Sequence, residues 1–375
     1  FEDYNAALGE QDGGDIDDPQ LGARMLYTSG TTGRPKGVVR QPNYSTQLEA
    51  ITSAPRYQAG SGQMNLCTGP YYHGGPLTFS LIMPLNQGVG IVIMEKWDAA
   101  EALRLIEKHR ITHTHMVPTM FHRLLRLPAN SREQADVSSM QYLLHGAAPC
   151  PVASKQGMMD WFGPILWEYF AATEGSGASC SPEQWLRKPG SVGLPPAPDH
   201  VRILDDNGAP CPPGVVGNIY LKGEGELDFE YLNDPGKTAG ARRESHFTVG
   251  DIGYLDEDGF LFLTDRSSSV INSGGVNIYP AEVEAALLEH PMVRDVAVIG
   301  IPNPEWGEDV KAVVQIDQVP ADAPVAAEEL MAFCRDRIAH FKCPRSIDFA
   351  MELPRDDNGK LYRRKLLEAY RETGD

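Results

Sequence analysis

The stretch Tyr27-Thr28-Ser29-Gly30-Thr31-Thr32-Gly33-Arg34-Pro35-Lys36-Gly37-Val38 decides the reading of this chain. Its glycines allow tight backbone turns close to a ligand. Its hydroxyls and exposed amides can donate to phosphate oxygens, and Lys36 adds a positive charge. It is not a Walker loop, because no Gly-Lys-Ser/Thr follows at the required spacing. A strand-like run at residues 23–27 leads into it. A plain Ser/Gly-rich surface loop would not need this ordered combination of hydroxyls, glycines and a cation.

The rest of the composition bounds what surrounds that loop. At 375 residues the chain has room for two or three domains and a sizeable core. Hydrophobic residues make up 42% and charged residues 22%, as in ordinary globular proteins. The formal net charge of -18 argues against a nucleic-acid partner but not against small anions, which a local cluster of amides and cations can hold. No apolar run approaches the ~20 residues of a membrane span. Six scattered cysteines form no Cys-x-x-Cys pair, so neither a zinc site nor a redox motif is expected, and a reducing, cytoplasmic setting is. His113-Thr114-His115 puts two imidazoles on one strand face; with no third ligand nearby, a structural role is expected. The chain begins at Phe1, which reads as a fragment, a processed chain or a chain lacking its earlier part.

Residues 1–20 are acidic and Gly-rich and read as loop or linker. Asp98 and Glu101 have the spacing of a capping box, followed by Leu103, Leu105 and Ile106 at apolar helix positions. Residues 111–117 read as a strand, and Pro118 opens a helix reaching Leu127. This alternation implies α/β layers. From about residue 190 to 262 the texture becomes short strands between turns; Asp205-Asp206-Asn207-Gly208 and Asp256-Glu257-Asp258-Gly259 are hairpin signals. After Arg266 comes a helix from Pro280, strands at residues 293–299 and 310–316, and a helix at residues 328–338. The expected fold is a partial α/β large domain (residues 1–265) with a β-rich subdomain (190–262), plus a small mobile α+β C-terminal domain (266–375) joined by a hinge.

Further motifs follow in order: Tyr71-Tyr72-His73-Gly74-Gly75, Gly146-Ala147-Ala148-Pro149, Trp167-Glu168-Tyr169-Phe170-Ala171-Ala172-Thr173-Glu174-Gly175, Gly250-Asp251-Ile252-Gly253-Tyr254, Thr264-Asp265-Arg266, Ser273-Gly274-Gly275-Val276-Asn277-Ile278-Tyr279-Pro280 and Leu353-Pro354-Arg355-Asp356-Asp357-Asn358-Gly359-Lys360. Together with the phosphate loop, this series over residues 26–366 resembles the adenylate-forming superfamily of acyl-CoA synthetases, peptide-synthetase adenylation domains and firefly luciferase. It is most similar to the acyl-CoA synthetase branch, with the early part of the large domain missing.

The resemblance implies roles. Thr28, Ser29, Gly30, Thr31, Thr32, Gly33 and Lys36 would hold the phosphates of ATP. Phe170 would lie against the adenine, Thr173 at the α-phosphate and Glu174 at a magnesium ion. Gly146, Ala147, Ala148 and Pro149 would line the adenine and acyl pockets, with His73, Ala171 and Gly146 on the acyl side. Asp251 would accept the ribose hydroxyls and Arg266 help hold ribose or phosphate. Residues 265–269 would be the hinge, with Ser268 at the pivot; Gly274 and Gly275 would line a coenzyme A tunnel; Lys360 would be the catalytic lysine. Two departures stand out. Phe170 replaces the usual Tyr and loses a phenolic hydrogen bond. Ser268 and Ser269 replace the usual Asp or Lys and its acidic neighbour.

The implied activity is an ATP-dependent carboxylic acid–CoA ligase that forms acyl-AMP and pyrophosphate, then acyl-CoA and AMP. Pro118-Thr119-Met120-Phe121 and the Ala-rich residues 170–177 resemble ligases for fatty, alicyclic or steroid-type acids. The alternatives are adenylation with a non-CoA acceptor and an inactive nucleotide-binding fragment.

Overall fold

A computed structural model describes residues 4–10, 13–14, 25–28, 36–40, 57, 62–223, 229–318, 320–357 and 359–372. Its centre is a six-stranded sheet with spatial order Gly90–Ile93, Met64–Cys67, His113–Met116, Tyr142–His145, Leu166–Ala171 and Ser176–Cys180. The first five strands run parallel and the last is antiparallel. His113–Met116 is buried at all four residues, as befits a parallel strand covered on both faces. The helices Ala99–His109, Pro118–Leu125 and Val152–Phe162 supply cover, and Leu66, Ile106, Phe121, Leu124, Leu143 and Met158 form the core between them. Asp98 caps the first of these helices by accepting the Glu101 amide at 2.8 Å. The reciprocal half of the expected box does not form, because the Glu101 carboxylate is taken by Arg104, which donates to it twice at 2.6 Å. A complete box occurs instead at Ser181 and Gln184.

The β-rich region is antiparallel: Arg242–Arg243, His246–Phe247, Gly217–Lys222, Asp251–Leu255 and Leu261–Arg266, with Val201–Leu204 also on Gly217–Lys222. The hairpin at Asp256 forms as expected, closed by Gly259 N–H donating to the Asp256 carbonyl at 3.0 Å. A separate three-stranded sheet joins Leu26–Thr28 to Lys36–Val39 and Lys36–Val39 to Glu230–Tyr231. Val38 from that sheet and Phe170 from the central sheet share a core with Ile219, Leu221 and Phe247.

The remainder has its own core of Val283, Leu287, Val296, Val298, Val314 and Leu330. Its sheet runs Val276–Ile278, Ile271–Ser273, Gly307–Gln315, Asp295–Asn303, with Ser346–Ala350 parallel to Gly307–Gln315. Pro280–Leu288 begins at proline as expected. Ala323–Arg335 begins earlier than the apolar spacing implied, because Asp322 accepts the Val325 amide at 3.1 Å and Pro324 occupies the first turn. At the other end of the chain, Tyr4–Gly9 is a short helix where a loop was expected; Ala6, Ala7 and Leu8 are strong helix formers. Among the described residues no helix is long and apolar enough to cross a membrane.

The two bodies meet through polar contacts. Arg126 donates to the carbonyls of Pro291 (3.0 Å) and Val293 (2.9 Å) and approaches Asp317 at 3.9 Å. Asp265 accepts the Ala281 amide at 3.0 Å across residues 267–269, which form one 3₁₀ turn.

Candidate active site

Thr28 and Lys36 are register partners at the loop end of their hairpin, so the strands bring both to the mouth of the intervening loop. Ser29, Gly30, Thr31, Thr32 and Gly33 lie outside the described residues. The Lys36 ammonium sits 5.0 Å over the Tyr231 ring, a cation–π distance, and the Tyr231 hydroxyl donates to Glu174 Oε1 at 2.8 Å. Burial, and after it the ammonium of Lys237 nearby, lower the Lys36 pKa to about 8, with Glu174 and Asp234 opposing the shift. Glu174 is itself buried, on the tight turn that follows Leu166–Ala171. Ala172 and Gly175 close that turn through reciprocal backbone bonds of 2.8 and 3.2 Å, and Thr173 sits half-buried at its tip.

Asp251 and Arg266 are also register partners, on the adjacent hairpin, and Arg266 Nε donates to Asp251 Oδ1 at 3.1 Å. Burial raises the Asp251 pKa against the pull of Arg266, and Glu174 adds to the rise by charge repulsion. Lys360 comes from the far end of the sequence. Its amine is shielded from water, which lowers its pKa; Arg266 lowers it too, while Asp356 and Glu174 raise it. Glu174 is thus a common neighbour of Lys36, Asp251 and Lys360.

The loop carrying Lys360 is held in shape by Arg355, which forks onto both oxygens of Asp295 (2.5 and 2.7 Å) and donates to the Gly359 carbonyl at 2.8 Å. It docks on the segment around His73: Asp356 lies 3.7 Å from His73 Nε2, and Asp357 accepts from the Tyr72 hydroxyl at 2.7 Å. Burial lowers the His73 pKa, so this imidazole is a neutral ring in the wall.

His73 leads into a π-helix, Pro76–Ile82, that lies against the central sheet. Phe79 on that helix packs 5.5 Å from the His115 ring and 5.0 Å from the Tyr169 ring. His115 Nε2 and the Tyr169 hydroxyl are 3.0 Å apart. Burial takes the His115 pKa to about 4, so the imidazole is neutral and the pair exchanges one hydrogen bond. Gly146 is required here: a Cβ would come within 2.6 Å of the Tyr169 carbonyl oxygen. Ala147 follows with φ of +68°, a left-handed conformation costing roughly 1–2 kcal/mol for an L-residue. That strain turns Ala147, Ala148 and Pro149 outward, and all three are exposed. Ala171 is exposed at the end of its strand. Phe170 points the other way from Tyr169 and is 7% exposed, packed into the β-rich core.

Three of the sequence-derived residues stand apart from this cluster. Ser268 lies in the 3₁₀ turn between the two bodies. Gly274 and Gly275 form the exposed tip of the Ile271–Ser273/Val276–Ile278 hairpin, both with positive φ. A Cβ on Gly274 would meet the Trp306 ring at 2.8 Å. Among the described residues no three His, Cys, Asp or Glu side chains gather as a metal site. Glu174 alone fits a magnesium ion of the kind that takes one or two carboxylates plus phosphate oxygens.

A family model described as AMP-binding enzyme matches residues 5–227, and one described as AMP-binding enzyme C-terminal domain matches residues 282–360. The chain belongs to the AMP-binding enzyme family. This AMP-binding enzyme is 36% identical over 355 residues to a long-chain-fatty-acid–CoA ligase of Bacillus subtilis, covering 94% of the present chain and 62% of that ligase. It is 36% identical over 345 residues to a 2-succinylbenzoate–CoA ligase of Bacillus licheniformis, covering 92% and 69%. The solved O-succinylbenzoate coenzyme A synthetase of Bacillus subtilis, in complex with ATP and a magnesium ion, superposes with a TM-score of 0.78 at 30% identity, covering 97% of this chain and 74% of that one. The fold is accordingly that of adenylate-forming enzymes, a large α/β body with a small C-terminal domain.

Sequence reasoning about this AMP-binding enzyme passed over Tyr231 and Lys237, and named Tyr72, His115 and Tyr169 only within their motifs, without the contacts they make. For Tyr231 a local signal existed: Asp234-Pro235 marks a helix start immediately after it. The others are joined by pairings that no local spacing reveals.

Proposed function

We propose that the chain is an ATP-dependent carboxylic acid–CoA ligase with two half-reactions at one site. The supporting observation is the convergence on Glu174: Lys36, Asp251 and Lys360, from three distant parts of the sequence, all feel its charge.

In the first half-reaction an oxygen of the acid's carboxylate attacks the α-phosphorus of ATP. A new phosphorus–oxygen bond forms, the bond to the β-phosphate bridge breaks, and pyrophosphate leaves with its electron pair. Lys36 and the loop at residues 28–36 hold the phosphates. The Thr173 hydroxyl donates to the α-phosphate, and Lys360 stabilises charge growing around it. A magnesium ion at Glu174 would supply further charge neutralisation. Asp251 accepts the ribose hydroxyls beside Arg266, and the base lies on the exposed Ala147-Ala148-Pro149 face with Phe170 behind it.

For the second half-reaction we place the domain boundary between residues 265 and 266, with the pivot at Ser268. Rotation there withdraws Lys360 and brings the Gly274-Gly275 tip to the site. The thiolate of coenzyme A attacks the acyl carbonyl, and AMP departs with the electrons of the cleaved acyl–phosphate bond.

The wall made by Phe79, His115, Tyr169, Gly146 and His73 is aromatic and uncharged. It favours an apolar acid, of fatty, alicyclic or steroid type. We place the enzyme in the cytoplasm, where ATP and coenzyme A are available.

The deciding experiment incubates the protein with ATP, magnesium, coenzyme A and a panel of such acids, with mass spectrometry of the products. Acyl-CoA and AMP in equal amounts are expected. Acyl-AMP that persists with coenzyme A present would move the reading to another acceptor. No ATP turnover with any acid would reduce the chain to a nucleotide-binding remnant.

A further inference from the structure

The chain after Glu230–Tyr231 is folded tightly against that strand. Asp234 Oδ1 accepts the Lys237 amide at 3.0 Å, and the Thr238 hydroxyl both accepts the Tyr231 amide and donates to the Asp234 carbonyl, each at 3.0 Å. Glu230–Tyr231 is in turn paired to Lys36–Val39, and the Leu232 amide donates to the Gly37 carbonyl at 2.9 Å. These bonds fix Lys237 on the same edge as Lys36, and the two ammonium groups lie side by side.

Such a pair repels. Lys36 cannot relax away easily, because it sits over the Tyr231 ring, which is anchored to Glu174. Two carboxylates are in range of Lys36, but Glu174 already accepts from Tyr231 and Asp234 already caps the turn. The cations of the site also fall into two groups, each within reach of Glu174. Arg266 and Lys360 act on each other, whereas the groups acting on Lys36 are Lys237, Glu174 and Asp234. Two amines held together at one end of the site answer to a ligand with closely spaced negative charges at that end.

We propose that Lys237 is a second polyphosphate-binding residue, which closes with Lys36 on the β- and γ-phosphates of ATP and so on the departing pyrophosphate. The assignment rests on the adenylation reading above. Lys237 touches neither the α-phosphate nor the acid, so its effect belongs to ATP and pyrophosphate and not to AMP or acyl-AMP.

The test titrates wild type, Lys237→Gln and Lys237→Arg with ATP, pyrophosphate and AMP by calorimetry, and compares thermal melting of the three proteins. Lys237→Gln is expected to weaken ATP and pyrophosphate binding by about tenfold or more, the size of one charge-assisted hydrogen bond, to leave AMP binding unchanged, and to melt no lower than wild type. Lys237→Arg is expected to restore most of the loss. In turnover, Lys237→Gln raises KM for ATP while thioester formation from supplied acyl-AMP keeps its wild-type rate. ATP affinity of Lys237→Gln within about twofold of wild type, or an equal loss for ATP and AMP, overturns the assignment to Lys237. A wild-type protein that binds neither nucleotide overturns the adenylation reading itself, and this assignment with it.

Discussion

The Tyr72 hydroxyl donates a 2.7 Å hydrogen bond to Asp357, 285 residues further along the chain, and thereby ties the approach to the Pro76–Ile82 π-helix to the loop that carries Lys360. The bond is exposed, so its contribution is modest, about 0.5–1.5 kcal/mol. On the domain rotation proposed above, it exists only while Lys360 faces Glu174. Tyr72→Phe is therefore expected to slow acyl-AMP formation by about two- to tenfold and to leave thioester formation from supplied acyl-AMP unchanged. Pyrophosphate release and thioester appearance, measured separately, check this; equal slowing of both would show that the bond does not discriminate between domain orientations.

Lys360 itself carries a larger expectation. It is the cation that the far end of the sequence delivers beside Arg266 and Glu174. Lys360→Ala should lower the rate of acyl-AMP formation by about 10²–10³-fold, as removal of one charge-stabilising donor does, while largely sparing the thioester half-reaction. Single-turnover assays of each half-reaction decide the point. Comparable loss in both would count against the assigned role.

The depressed pKa of Lys36, about 8, gives a pH dependence with a definite sign. The amine is charged below that pKa and neutral above it. Polyphosphate binds the charged form, so ATP affinity should be full well below pH 8 and fall as pH rises through it. Bound phosphate raises the pKa, so ATP binding near pH 8 should take up protons. Calorimetry in buffers of different ionisation enthalpy measures that uptake. Lys36→Arg, which stays charged throughout, should abolish most of it.

A buried ion pair offers a stability test. Lys155 is fully buried and donates to Glu168 Oε2 at 2.7 Å, on the strand that carries Tyr169; His145 Nε2 is 3.6 Å from the same oxygen. Burial and Lys155 push the His145 pKa well below its usual value, so the imidazole is neutral and Lys155 is the balancing charge. Lys155→Met leaves a buried carboxylate without a partner and is expected to destabilise the fold by about 3–5 kcal/mol. Adding Glu168→Leu should return most of that loss, since removing both charges also removes their desolvation penalty. Urea unfolding of the single and double variants measures both values.

Local features were legible before any coordinates. The helix cap at Asp98, the proline starts at Pro118 and Pro280, and the Asp256 hairpin all depend on residues within a few positions of one another, and each is found. The strand Lys36–Val39, at the end of what read as a loop, was not foreseen, and neither was its partner Glu230–Tyr231. That pairing is set by packing in three dimensions and leaves no periodic trace. The same holds for His115 with Tyr169, and for Lys155 with Glu168. Phe170 shows a subtler limit. Alternation along Leu166–Ala171 sends Tyr169 and Phe170 to opposite faces, and the motif singled out Phe170, which is buried, without showing that Tyr169 pairs with His115. The helix Ala323–Arg335 was placed too late because its apolar spacing was read and its Asp322 cap was not.

The join between the two bodies has an energetic consequence. The contacts described at Tyr72, Arg126 and Asp265 are hydrogen bonds, two of them part-buried. When such a join opens, water replaces each lost partner at little net expense. On the proposed rotation, such bonds bias the two orientations only weakly, and a molecule that fits one of them slightly better can tip the balance. Occupancy of the cleft, rather than the join itself, would set which face is presented next.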